Sequence, residues 1–242
     1  MNEEELKKQQ DAMHRKIKKH AKEEHLIKQR PKLEPIYDGV ADIHAYLNSS
    51  PRIMWILKEP WHLFTESGKP KGGGWKFTNH FIQYPDVWQD EKMWKLIIQS
   101  DYAIRKHLKW KELEYIERNQ EMAEELNKIA YINVGKMPGY QESSPSHMQE
   151  CYKKWKSIIE EQIELYNPEV IIFGNTFYFF YEYFRINEKP ISTVSGKWNT
   201  NIYMRDNRIL IDAYHPSRKG SEDSSKDYVT SIVKAYEKMI KK

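Results

Sequence analysis

The chain has 242 residues, with 39 Lys/Arg against 35 Asp/Glu, 39% apolar and 13% aromatic side chains; that size suits one compact core, and that composition excludes a disordered chain. A single cysteine, Cys151, excludes an intrachain disulfide, a four-cysteine iron–sulfur cluster and a multi-cysteine zinc site, and it fits a reducing compartment. Met1 to Lys32 carry 10 Lys/Arg against 6 Asp/Glu, which leaves 29 of each for the remainder, so the whole excess of +4 sits in the leader.

The leader lacks an apolar signal region and no window approaches 18 apolar residues, so neither export nor a membrane span is expected and the cytoplasm is the expected location. Leu6, Met13, Ile17, Leu26 and Ile27 form a sparse apolar stripe, which predicts a charged helical arm over residues 1–35 lying on the body and ended by Pro31 and Pro35. Its charges read either as a solvated helix face or as a strip that tracks phosphates.

The body spans 36–242. A short amphipathic helix is expected from Tyr37 to Leu47, then a turn at Asn48-Ser49-Ser50-Pro51 and a strand over Arg52-Ile53-Met54-Trp55-Ile56-Leu57. Three more apolar runs match it: Ile129-Ala130-Tyr131-Ile132, Val170-Ile171-Ile172-Phe173 and Ile209-Leu210-Ile211-Asp212-Ala213. Between them lie helical patterns at Asp86 to about Asn127, Ser146 to Tyr166 and Thr176 to Phe184, and Asp223 to Lys242 closes the chain. Continuous apolar strands alternating with helices predict an α/β fold, a three-layer α/β/α sandwich around a central, mainly parallel four-stranded sheet. Ile202 to Arg205 with Asp206-Asn207 reads as a hairpin partner of the last strand. The Gly72-Gly73-Gly74 cluster beside Lys69 and Lys71 is not a Walker loop, since no Gly-Lys-Ser/Thr follows, and reads as a mobile loop.

Parallel strands leave a sheet at one edge, where residues distant in sequence converge. The four exits are Lys58-Glu59-Pro60-Trp61-His62, Asn133, Gly174-Asn175-Thr176 and His215-Pro216-Ser217. A carboxylate, an amide, a glycine turn and an imidazole with a hydroxyl therefore share one crevice, which is an active-site inventory. Each has a structural alternative: Glu59 as a turn cap, His215 as a histidine satisfied under a loop, Asn133 as a turn residue, Thr176 as an N-cap.

The string Leu57-Lys58-Glu59-Pro60-Trp61-His62 resembles the first motif of the uracil-DNA glycosylase superfamily, and His215-Pro216-Ser217 resembles its closing motif. Asn133 resembles the base-reading asparagine, and Gly74-Trp75-Lys76-Phe77-Thr78 the segment whose ring stacks on the base. Glu59 stands where the best-known branch has aspartate. The resemblance implies removal of a flipped base, uracil or another deaminated or damaged one, by hydrolysis of its glycosidic bond without cofactor or metal. It implies Glu59 and His215 as the catalytic pair and Asn133, Phe77 and Trp61 around the base. Phosphate contacts would fall to His62, Gly174, Asn175, Ser217, Arg218 and Lys219. The implied partner is single-stranded DNA or duplex DNA with a damaged base, met by a monomer with no membrane association. A catalytically silent relative that uses the same groove to bind nucleic acid or protein is the alternative, and a hydrolase of free nucleotides is a third.

Overall fold

The computed structural model describes residues 1–60, 63–90, 92–139, 143–218 and 222–240. The first half of the chain forms α1 (Glu3–Glu23), β1 (Gly39–Val40), α2 (Ile43–Leu47), β2 (Ile53–Leu57), a small hairpin of β3 (Leu63–Phe64) and β4 (Pro70–Lys71), then α3 (His80–Gln83), α4 (Val87–Asp90), α5 (Lys92–Lys106) and α6 (Gln120–Ala123). The second half adds β5 (Ile129–Asn133), α7 (Pro145–Tyr166), β6 (Val170–Gly174), β7 (Ser192–Val194), β8 (Thr200–Arg205), β9 (Arg208–Ala213) and α8 (Glu222–Ile240).

One sheet carries seven strands in the order β1-β5-β2-β6-β9-β8-β7. Within it β5, β2, β6 and β9 pair in parallel, while β1, β8 and β7 are antiparallel. The sheet is thus mixed and wider than the four-stranded one that the apolar runs predict. The added strands are short or half-exposed, and they lack the continuous apolar run that marks a strand buried on both faces. Strands β2, β5 and β6 are buried at every residue. Asp206 and Asn207 both take positive φ, 50° and 62°, which closes the β8–β9 hairpin with the twist its strands require.

Successive side chains on a strand face opposite ways, so the sheet divides two cores. Ile53, Trp55 and Leu57 join α5 and α8 in one; Met54 and Ile56 join α1 and α7 in the other. Helix α1 is therefore built into the second core, with Leu6, Met13, Ile17 and Ala21 buried. Its Gln10 donates to the Val40 carbonyl at 3.1 Å and to Thr78 Oγ1 at 2.8 Å, and accepts from the Val40 N–H at 2.8 Å. Among the described residues no helix is long and apolar enough to cross a membrane.

Three predicted helices are shorter than their patterns. The 37–47 segment first pairs as β1 with β5 and becomes helical only after Asp42, whose side chain caps the Ala45 N–H at 3.0 Å. The 86–127 pattern breaks after α5, where His107 turns to positive φ and Leu108 N–H returns to the Ala103 carbonyl. The aromatic run after Thr176 makes a single 3-10 turn at Phe177–Phe180: Phe177, Phe179, Phe180 and Phe184 are all buried, and crowded aromatic side chains favour a regular helix weakly. The glycine cluster is tied down. Gly72 exchanges hydrogen bonds with Lys32 and Glu34, Gly74 N–H donates to the Pro35 carbonyl, and all three glycines adopt positive φ.

Candidate functional site

The strand register fixes what meets at the carboxyl edge. Leu57 lies opposite Asn133, and Gly174 opposite Ala213, two residues before His215. Beyond the strand ends, Val134 N–H still donates to the Leu57 carbonyl at 2.9 Å and Gly135 N–H to the Lys58 carbonyl at 2.7 Å. The Leu57 side chain fills the space where Gly174 would carry a Cβ, beside Pro216 and the His215 backbone. The exits of β2, β5, β6 and β9 are thereby one neighbourhood, with Gly174 required for the contact between them.

Asn133 is fully buried at the end of β5, and neither its side-chain oxygen nor its nitrogen has a hydrogen-bond partner among the described residues. An unpaired buried amide is costly, and among the described residues His14, Ser100 and Asn127 also hold a buried polar atom in that state. Its backbone is held hard: the Asn133 N–H donates to Asp38 Oδ2 at 2.7 Å. Asp38 in turn receives Lys136 Nζ at 2.8 and 2.9 Å, and Lys136 also donates to Gln162 Oε1 at 2.7 Å. Burial pulls the Lys136 ammonium below its ordinary pKa while Asp38 opposes the change. With both charges matched and hydrogen-bonded, the pair braces the exit and is itself no reactive group.

Glu59 follows β2 with its side chain 4% exposed. The Ser143 hydroxyl donates to Oε1, and His147 Nε2 stands 3.0 Å from Oε2. A Cβ on Gly139 would overlap this carboxylate, and one on Gly135 would press on the Glu59 Cβ and Cys151 Sγ, so two glycines shape its seat. Ser143 and His147 are placed by the start of α7, where Ser144 caps the His147 N–H at 3.2 Å and Pro145 occupies the first turn. Cys151, one turn along, brings Sγ to 3.5 Å from His147 Nε2. Burial, then the charge of Glu59, pushes its thiol up to about 12, so it carries its proton at neutral pH.

His215 is partly exposed after β9. Its Nδ1 accepts the Ser217 N–H at 3.2 Å and lies 2.8 Å from the Ser217 hydroxyl. A backbone N–H only donates, so the ring proton resides on Nε2 and that edge is a donor. Other expected contacts are otherwise engaged. Asn175 N–H donates to the Ala213 carbonyl at 2.7 Å, and the element after it is a four-residue 3-10 turn, so the expected anion site at a helix start lacks its free donor. Thr176 precedes that turn without capping it through its side chain: its hydroxyl donates to the Ile56 carbonyl at 2.8 Å. Phe77 is buried, with its ring nearly parallel to Tyr131 at 5.0 Å and to His80 at 6.2 Å. Trp61, His62 and Lys219 lie outside the described residues; Arg218 ends a 3-10 turn at Pro216–Arg218.

Two surface hollows, of about 540 and 340 Å³, lie elsewhere: one between α1 and α7 by Met13 and Leu165, the other by Trp88 and Ile116. Sequence reasoning brought Glu59, Asn133, Gly174 and His215 to one edge and missed Asp38, Lys136, Ser143, His147 and Cys151. His147 and Cys151 did carry a signal, since residues four apart on a helix share a face. Asp38 and Lys136 carried none, because their pairing depends on the β1–β5 ladder. No protein-family model matches the chain, and no curated protein matches it in sequence.

Proposed function

We propose that the chain hydrolyses the N-glycosidic bond of a base flipped out of DNA, uracil or another deaminated or damaged base, as a base-excision repair enzyme resembling the uracil-DNA glycosylases. One observation carries the reading: the buried, unpaired amide of Asn133, beside the exits that hold Glu59 and His215. Such an amide offers one donor and one acceptor, the complement of a base edge, and is satisfied only when a base arrives.

Bond cleavage leaves positive charge on the sugar and negative charge on the departing base. Glu59, with Ser143 on one oxygen and His147 Nε2 facing the other, supplies the negative charge that stabilises the first. His215, presenting Nε2–H, donates to a base oxygen and stabilises the second, as an oxyanion donor does. Asn133 reads the base edge, and Ser217 and Arg218 would contact the adjoining phosphates. The test is abasic-site formation in single-stranded DNA containing uracil, hypoxanthine or xanthine. Glu59→Gln is expected to slow the chemical step about 10²–10⁴-fold, and His215→Ala about 10²–10³-fold, with circular dichroism showing both variants folded. No abasic sites with any of these bases would sink the reading.

The even balance of 29 and 29 charges over the body favours a second reading, a silent relative that binds without turnover, because tight duplex binding draws on several neutralised phosphates. Oligonucleotide binding that Glu59→Gln leaves intact, with no abasic product from the parent, would select it.

A further inference from the structure

We infer that Glu59, His147 and Cys151 form a binding site for a divalent transition metal of the zinc class. Their ligating atoms all lie within 4.8 Å of one another. Two separations can be compared with a tetrahedral ion. His147 Nε2 stands 3.0 Å from Glu59 Oε2 and 3.5 Å from Cys151 Sγ. Zinc–ligand bond lengths imply edges of about 3.3 Å between nitrogen and oxygen and about 3.6 Å between nitrogen and sulfur. These two edges therefore need to lengthen only by tenths of an ångström to fit an ion, and the third, between Glu59 and Cys151, is bounded at 4.8 Å.

The alternative use of a cysteine, a histidine and an acid is a nucleophilic relay, and the geometry disfavours it. A relay employs both ring nitrogens, one toward the thiol and the other toward the carboxylate. Here the same nitrogen, Nε2, faces both partners. Convergence of a soft sulfur, an imidazole nitrogen and a carboxylate oxygen on one point is the donor set of a zinc-class ion.

The surroundings are those of a built site. Ser143 takes the other oxygen of Glu59 and fixes which one points inward, a role that supporting hydrogen bonds play around metal ligands. Gly135 and Gly139 leave the room the carboxylate occupies. His147 and Cys151 sit one turn apart on α7, a rigid pair of ligands, and the His147 side chain is 37% exposed, which gives the ion a route from solvent. Three protein ligands leave a fourth position for water. On coordination the thiol proton leaves to solvent and the sulfur binds as thiolate.

The inference goes beyond base excision and shares Glu59 with that reading, but it is read by metal binding alone. Cobalt(II) added to the reduced, metal-stripped full chain is expected to bind at one equivalent and to give a sulfur-to-cobalt charge-transfer band, which zinc then displaces. Cys151→Ser should abolish the band, and His147→Ala should weaken cobalt binding at least about tenfold, while circular dichroism shows both variants folded. Absence of stoichiometric binding to the parent, or a band that survives in Cys151→Ser, overturns the site. No band from the parent protein with its abasic-site formation intact would refute this site alone, whereas a normal parent band without any abasic product would refute the excision reading alone.

Discussion

At the scale of single residues, buried polar groups divide into those that brace and those left unpaired. Asp101 braces: the Trp55 indole donates to both of its oxygens at 3.1 Å within the α5 core. Burial raises its pKa from 3.8 to about 7, only partly opposed by the nearby Arg105 charge. Below 3.8 the carboxyl is protonated in folded and unfolded chains alike. Between 3.8 and about 7 the unfolded chain loses a proton that the folded one keeps, so stability falls as pH rises, by at most about 1.4 kcal/mol per pH unit, and above about 7 the loss is complete. Asp101→Asn, which keeps an oxygen for Trp55, should remove this component. Urea unfolding should show the variant gaining on its parent from about pH 4 to about pH 7 and holding a constant lead above it; parallel pH profiles would contradict the assignment. Asn133, by contrast, has no hydrogen-bond partner for its side-chain amide among the described residues. Its place at a strand exit was legible from the apolar run before it, as were those of Glu59 and His215. Their hydrogen-bond partners were not, because Ser143, His147 and Asp38 arrive from segments whose approach depends on the assembled sheet.

At the scale of elements, α1 shows why an apolar stripe matters more than the charge around it. Asn2 caps the helix, Glu3 to Glu5 occupy its first turn and His20 and Lys22 its last, so the helix is favourable on its own terms. What fixes its position is the buried row of Leu6, Met13, Ile17 and Ala21 against α7 and α2. Ile17→Ala should cost about 2–5 kcal/mol, the range for a large-to-small change in a core, with a matching drop in the thermal midpoint. A cost below about 1 kcal/mol, the scale of a surface change, would show the helix to be a dispensable arm. The central strands were readable because β2, β5 and β6 are buried on both faces and so consist of unbroken apolar runs. The antiparallel margins were readable only where turn chemistry spoke, as at Asp206-Asn207. β1 is two residues long and exists because β5 offers it an edge. Helical periodicity overran the true helices wherever aromatic crowding or a positive-φ residue broke the ladder, as after Thr176 and at His107.

At the scale of the whole molecule, the pair of Asp38 and Lys136 ties together parts of the chain that share no sequence neighbourhood. Through it the segment before β1, the exit of β5 and the C-terminal part of α7 meet, and His14 of α1 lies 3.3 Å from the Asp38 carbonyl. Lys136→Met leaves a buried carboxylate without its cation and should destabilise the protein by about 3–5 kcal/mol in urea unfolding. A near-neutral result would place the bracing in the Gln162 and Asn133 contacts instead. The strand order has a further consequence for the chain as it is made. β2 ends flanked by β5 and β6, yet 71 residues separate it from the first and more from the second. At about 5–20 residues per second, the run Ile53-Met54-Trp55-Ile56-Leu57 leaves the ribosome several seconds before either neighbour is synthesised, with both edges bare and every side chain apolar. A growing polypeptide of this design has its stickiest segment emerge early and unaccompanied, exposed to association with other chains until translation reaches the third central strand.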